Sequence, residues 1–237
     1  MILREEYARR LVDGSHIDLH LSANDGARIY WPWRMQPPKE ACERYRNACE
    51  VYVIDSDPKD DTVTNRDALD TALSLDAEVC SLQDVYQDYH GTVEKLKEGL
   101  ELYHGHGYDW KLLLPLQEPY VDCWKAIDSP ESHWLGIGGL KGGSDQQRIK
   151  AAQSLRDAVG PDVHIHGFGW GISNRLARWV RNNPNVIDSV DYSTSVQSNI
   201  DDVLPGDERS SVTAAYAGAK LIQDLRRGSE YPDSEEN

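Results

Sequence analysis

Two hydrophobic patterns alternate along most of this chain. Beyond about residue 50, short continuous apolar runs are separated by longer stretches whose apolar positions recur at helical spacing. The runs at 51–55, 78–83, 111–117, 133–138, 163–168 and 186–191 read as strands. The stretches between them carry helix start signals: Asn65 before Ala68-Leu69, Ser144 with Gln147 three residues on as a capping box, and Ser173 before Leu176, Trp179 and Val180. Gly160 ends one helix and Asn183-Pro184 another. An amphipathic pattern over 208–226 predicts a last helix. Residues 1–50 are less regular. There, 16–23 predicts an opening strand, while Tyr30 to Arg34 and Pro37-Pro38 read as a loop before a short helix containing Cys42 and Tyr45.

Strands alternating with helices are accommodated by a parallel sheet with crossover helices. Six clear strands and one or two weaker ones predict a closed (β/α)8, TIM-like barrel, an α/β fold in a single domain over 1–228 with an irregular N-terminal segment and a disordered acidic tail at 229–237. An open, doubly wound sheet is the alternative. Both architectures gather functional groups at the strand C-termini.

Charge adds a second constraint. The 237 residues contain 40 Asp and Glu against 25 Lys and Arg, for a net charge of −15, a pI near 4.9 and a mean hydropathy of −0.63. That balance fits either a halophilic protein, whose carboxylate-rich surface suits a high-salt cytoplasm, or an ordinary acidic cytoplasmic enzyme. Cys42, Cys49, Cys80 and Cys123 show no C-x-x-C spacing, so no zinc site, disulfide framework or other cofactor is expected. No apolar stretch approaches the ~18 residues of a membrane span, and the opening Met-Ile-Leu-Arg-Glu-Glu does not read as a signal peptide.

Candidate chemistry sits just past the strands. Asp55, Asp84 and Asp191 each follow or end an apolar run, so in a parallel barrel all three carboxylates reach one rim. Gln117 ends another run with an amide that both donates and accepts. His133 to Gly143 is a strand running into glycines ahead of the capped helix, either a tight turn or a place where an anion approaches main-chain N–H groups. His164 and His166 share one strand face, and no third metal ligand of suitable spacing accompanies them.

In this order, Asp55-Ser56, Leu75 to Glu78 leading to Asp84, Leu116-Gln117, Ile137-Gly138-Gly139-Leu140, Gly167-Phe168-Gly169 and Ile187 to Asp191 resemble the tRNA-guanine transglycosylase superfamily over about residues 50–200. The resemblance implies a pentosyltransferase exchanging guanine in a polynucleotide for a 7-deazaguanine such as preQ0, with Asp191 as nucleophile and Asp55 as general acid/base. Ser56, Asp84, Gln117, Gly138, Gly139, Leu140 and His166 would then surround the base. Attack by one carboxylate and proton transfer by another suit such chemistry.

The chain departs from the family pattern at Asp57-Pro58, and it lacks both the structural zinc cluster and the C-terminal tRNA-binding region. These departures resemble the compact DNA-modifying branch found in bacterial gene islands and viruses, and imply DNA as partner and the host cytoplasm as location if the chain is virus-encoded. Lys141, Arg148, Arg175 and Arg178 would then contact nucleic acid, while His166 or Trp170 would stack on the base. Tyr30, Trp31 and Trp33 would either stack on exposed bases or close the barrel floor. The alternatives are a tRNA enzyme relying on a partner protein, a silent nucleic-acid-binding subunit, and a glycoside or nucleoside hydrolase.

Overall fold

The run Lys111-Leu-Leu-Leu-Pro-Leu is buried at every position after the lysine. A strand covered on both faces belongs to a parallel sheet with helices packed against it. The computed structural model, which describes residues 5–13, 17–22, 30–57, 60, 62–128, 133–170 and 173–192, has eight such strands. They are β1 (Asp18–Leu21), β2 (Trp33–Gln36), β3 (Val51–Ile54), β4 (Val79–Ser81), β5 (Lys111–Leu116), β6 (Trp134–Ile137), β7 (Ile165–Gly167) and β8 (Ser189–Tyr192). The described helices are α1 (Glu5–Val12), α2 (Glu43–Arg46), α3 (Asn65–Ser74), α4 (Tyr89–His106), α5 (Tyr120–Ile127), α6 (Asp145–Val159) and α7 (Asn174–Asn182).

Each strand pairs in parallel with the next, and β8 pairs with β1 from Asp18 against Ser189 to Leu21 against Tyr192. That last pairing closes the (β/α)8 barrel and rules out the open sheet. The capping signals at Ser144 and Ser173 act as their sequence suggests. At α3 the cap is one residue earlier: Thr64 forms a box with Asp67. Asn65 is buried instead, accepting from the Gln83 amide at 2.7 Å and donating to the Lys95 carbonyl at 2.9 Å. The expected 208–226 helix and the 229–237 tail lie outside the described residues.

Two elements differ from expectation. Residues 33–36 form a strand rather than a loop, with Trp33 against Val51 and Gln36 against Ile54. Arg34 and Gln36 are fully buried there, so burial does not follow the polarity alternation that would have marked a strand. The Arg34 guanidinium lies 5.1 Å from the Tyr45 ring centroid. Helix α1 carries no cap signal that stood out, although its Glu-first, Arg-last order suits the helix dipole.

The barrel interior has two unlike halves. Met35, Val53, Val79 and Leu113 form an apolar cluster, with Val51, Trp134 and Phe168 against it. Around β1, β7 and β8 the filling is polar: His20, His166 and Ser189 are fully buried. Gly136 lets Phe168 lie across the interior, because a Cβ at that position would stand 2.4 Å from the Phe168 ring. The base is tied by Arg156, which contacts Asp188 at 2.7 Å and donates to the carbonyls of Gly160 at 2.7 Å and Val163 at 2.6 Å. The same Asp188 oxygen accepts from the Ile165 amide at 2.7 Å, so this carboxylate fastens α6 and β7 to the start of β8.

Truncating the apolar half tests this packing. Leu113→Ala should cost about 2–5 kcal/mol, read as a lowered urea midpoint. An unchanged midpoint would show that the interior cluster does not support the barrel.

Candidate active site

The ends of the strands deliver a convergent set of polar groups. Asp55 directly follows β3, Asp84 lies just beyond β4, Gln117 directly follows β5, and Asp191 lies within β8, all toward the C-terminal mouth. Parallel strands share one direction, so residues past their C-termini meet at one rim, where barrel active sites lie.

Asp55 has the most altered environment of the group. Burial, with Asp191, Asp84 and Asp57 nearby, raises its pKa from 3.8 to about 7. Desolvation and like charge both penalise the ionised form. Asp84 is also raised, chiefly by burial, although the Gln117 side-chain amide donates to its Oδ2 and partly offsets that. Gln117 is held in turn, accepting from the Gln87 amide at 3.1 Å. Glycine beside it leaves room for the amide: a Cβ on Gly138 would stand 2.4 Å from the Gln117 Nε2, and one on Gly139 would stand 2.5 Å from its Oε1, so a side chain at either position would push the amide aside. The Gly138 carbonyl accepts from the Tyr120 hydroxyl at 3.0 Å.

Asp191 is oriented from the opposite side. Gly169, at φ +58°, donates its amide to Oδ1 at 2.9 Å. Nε2 of the buried His166 lies 3.8 Å from the same oxygen. Nδ1 of His166 is 2.8 Å from the Ser189 hydroxyl, which is also 2.7 Å from Nε2 of His164. Burial and the neighbouring His166 lower His164 to about 3, leaving it neutral. Beside these residues, not over the carboxylates, a cavity of about 690 Å³ runs from Gln87 and Glu118 to the Gly139–Gly143 turn and Lys150.

The structure thus brings together Asp55, Asp84, Gln117, Gly138, Gly139, Asp191 and His166. Other candidates serve elsewhere. Ser56 is buried and donates to the Leu82 carbonyl at 2.9 Å, tying β3 to β4. Leu140 packs in the outer core. Trp170 is buried there too, against the outward face of Gly167, and so is unavailable for stacking. Trp31 is fully buried with its indole donating to the Leu19 carbonyl at 2.8 Å, which makes it part of the scaffold.

Of the basic residues, Arg148 binds the Leu140 carbonyl at 3.1 Å and Asp145 at 3.4 Å, bracing the glycine turn. Arg175 donates to Gln146 at 2.6 Å, Arg178 on α7 is half-buried, and Lys141 is exposed on the turn. Three residues that fill the barrel interior below the carboxylates, Phe168, His20 and Ser189, have no role assigned from the sequence. Period-2 counting back from Asp191 would have found Ser189. Among the described residues, no group of three or more His, Cys, Asp and Glu side chains is arranged to hold a metal ion, and no helix is long and apolar enough to cross a membrane.

No protein-family model matches the chain, and no curated protein matches it either. Solved structures do. The YdjI aldolase from Escherichia coli K12 aligns with a TM-score of 0.54 and 13% identity, covering 96% of each chain. A protein assigned as a fructose-1,6-biphosphate aldolase from Coccidioides immitis aligns with a TM-score of 0.61 and 12% identity, covering 96% of this chain and 99% of the other. At such identities the likeness establishes the barrel fold.

These neighbours correct the expected activity. These two barrels carry aldolase names, so guanine exchange in DNA or tRNA, with its pentosyltransferase class, and the silent nucleic-acid-binding subunit are withdrawn. The physical reason lies in the motifs. An apolar run ending in a carboxylate, an amide or a glycine turn is what many (β/α)8 strands present at the mouth. Their order along the chain therefore reports the barrel more than the substrate. The Asp84 carboxylate also already holds the Gln117 amide.

Stability against pH tests the environment of Asp55. With its folded pKa raised from 3.8 to about 7, the folded state holds a proton that the unfolded chain has released. The associated stability is present below about pH 4 and is lost as pH rises through about 7. Asp55→Asn, which cannot ionise, should have a flatter stability profile over that window and should exceed the parent protein in urea midpoint above pH 7. Parallel profiles for the two proteins would remove the burial argument.

Proposed function

We propose that this barrel is an enzyme that works by carboxylate acid–base chemistry, cleaving or forming a carbon–carbon bond in a small β-hydroxy carbonyl compound. One observation carries the reading: two carboxylates at the mouth stand in unequal environments. Asp55 is held protonated toward neutral pH, while Asp191 accepts a main-chain N–H from Gly169. Two carboxylates in unlike environments are how one site supplies an acid and a base together. The aldolase names of the two solved barrels support the choice of reaction.

In the cleavage direction, Asp191 takes the proton of the substrate hydroxyl. The carbon–carbon bond breaks as a carbonyl forms at that carbon. Its electron pair becomes the double bond of an enol, whose oxygen takes the proton from Asp55. Asp191 ends protonated and Asp55 ionised, and solvent exchange restores both. The linked Asp84 and Gln117 side chains offer an acceptor and an amide to the hydroxyl groups of the substrate.

Retro-aldol cleavage of fructose 1,6-bisphosphate and of unphosphorylated β-hydroxy ketones, followed by release of aldehyde, tests the proposal. Asp191→Ala and Asp55→Asn should each lower kcat/KM by about 10²–10⁴. The parent rate should fall as pH rises through about 7, where Asp55 loses its proton. Undiminished cleavage by Asp191→Ala would overturn the assignment of the base, and no cleavage of any substrate in the panel would overturn the reaction class.

A further inference from the structure

We propose that Ser189 is a positioning residue: its hydroxyl fixes the tautomer of His166 so that Nε2–H faces Asp191. The inference rests on the reading of Asp191 as the base and deepens it.

Ser189 Oγ lies 2.8 Å from Nδ1 of His166 and 2.7 Å from Nε2 of His164. A hydroxyl has one proton, so it donates to one of these rings and accepts from the other. A neutral imidazole likewise carries its proton on one nitrogen only. With one proton on each ring, two arrangements satisfy both contacts. In the first, Ser189 accepts from Nδ1–H of His166, leaving a bare Nε2 lone pair toward Asp191. In the second, Ser189 accepts from Nε2–H of His164 and donates to Nδ1 of His166, whose proton then sits on Nε2.

The carboxylate decides between them. His166 Nε2 is buried without a hydrogen-bond partner and stands 3.8 Å from Asp191 Oδ1. That distance is too long for a hydrogen bond as it stands, but a small movement of either side chain would shorten it. A bare lone pair facing the carboxylate oxygens of Asp191 in a desolvated interior is repulsive, whereas an N–H is attractive. The second arrangement is therefore the one compatible with Asp191 as a base.

Neighbouring rings hold the geometry. Trp134 stacks on His164 at 3.6 Å and 13°, so the His164 ring plane is fixed. His20 from β1 meets the His166 ring edge-on at 5.4 Å, and Phe168 does so at 4.6 Å. With these rings fixed, the hydroxyl orientation is the remaining free variable.

Imidazole ¹⁵N spectra of the histidine-labelled full chain read the tautomer without any substrate. In the parent protein above neutral pH, His166, assigned by the loss of its signals in His166→Gln, should carry its proton on Nε2. Ser189→Ala should shift both nitrogens of His166 toward the averaged values of a tautomer mixture, and Ser189→Thr, which keeps the hydroxyl, should restore them. His166 protonated on Nδ1 in the parent protein would overturn the proposal even if the alanine variant did not fold. So would a Ser189→Ala spectrum with His166 unchanged. Because the readout is spectroscopic, a failed cleavage assay together with the expected spectra would overturn the reaction class and leave the role of Ser189 standing.

Discussion

Pairing of β8 with β1 is the constraint from which the rest of this molecule follows. Closure places His20 opposite Asp191 and Asp18 opposite Ser189, and the next pairing places Ser189 opposite His166. Side chains alternate between the two faces of a strand, so closure forces a set of polar residues into one half of the barrel interior. The other half is filled by Met35, Val53, Val79 and Leu113. A buried polar half requires internal partners; Ser189 supplies them to His164 Nε2 and His166 Nδ1, while His166 Nε2 and both ring nitrogens of His20 are buried without one. An interior filled throughout by aliphatic residues would pack as readily, but it would leave the carboxylate on β8 without a histidine beneath it.

The mouth inherits this asymmetry. On the β8 side Asp191 accepts the Gly169 N–H, with His166 Nε2 3.8 Å away. On the β3 side Asp55 meets low polarity and other carboxylates, which favour a neutral one. Between them, Asp84 and Gln117 are locked to each other and to the glycine turn. The loops therefore contribute little freedom to the constellation, because Gly138 and Gly139 have no side chain with which to displace Gln117. The two carboxylates are thus distinguished by the walls they stand against and not by residue type.

Much of this was legible in the sequence. The continuous apolar runs reported strands buried on both faces, and the positions of Asp55, Gln117 and Asp191 relative to those runs located the rim. The caps at Ser144 and Ser173 are visible in the sequence because such signals are local. What was missed depends on distant contacts. Arg34 and Gln36 hid β2 because both are buried, against the usual pattern. Within Ile187 to Asp191, the two aspartates look equivalent, yet Asp188 bonds Arg156 at the base while Asp191 lies near the mouth. At ~3.3 Å per residue, three positions carry the chain about 10 Å along a strand, enough to separate a structural carboxylate from a functional one. The substrate is not legible in the sequence because short motifs at strand ends report barrel geometry, which many chemistries share.

The central claim is that Asp55, buried near Asp191 and Asp84, stays protonated toward neutral pH. Carboxyl ¹³C chemical shifts of aspartate-labelled protein, followed from acid to alkaline pH with Asp55→Asn for assignment, measure that directly. The account predicts that Asp55 titrates near 7 and moves downward in Asp191→Asn, as relief of like charge requires. Titration near the ordinary aspartate value of about 4, or a midpoint indifferent to Asp191→Asn, would contradict it.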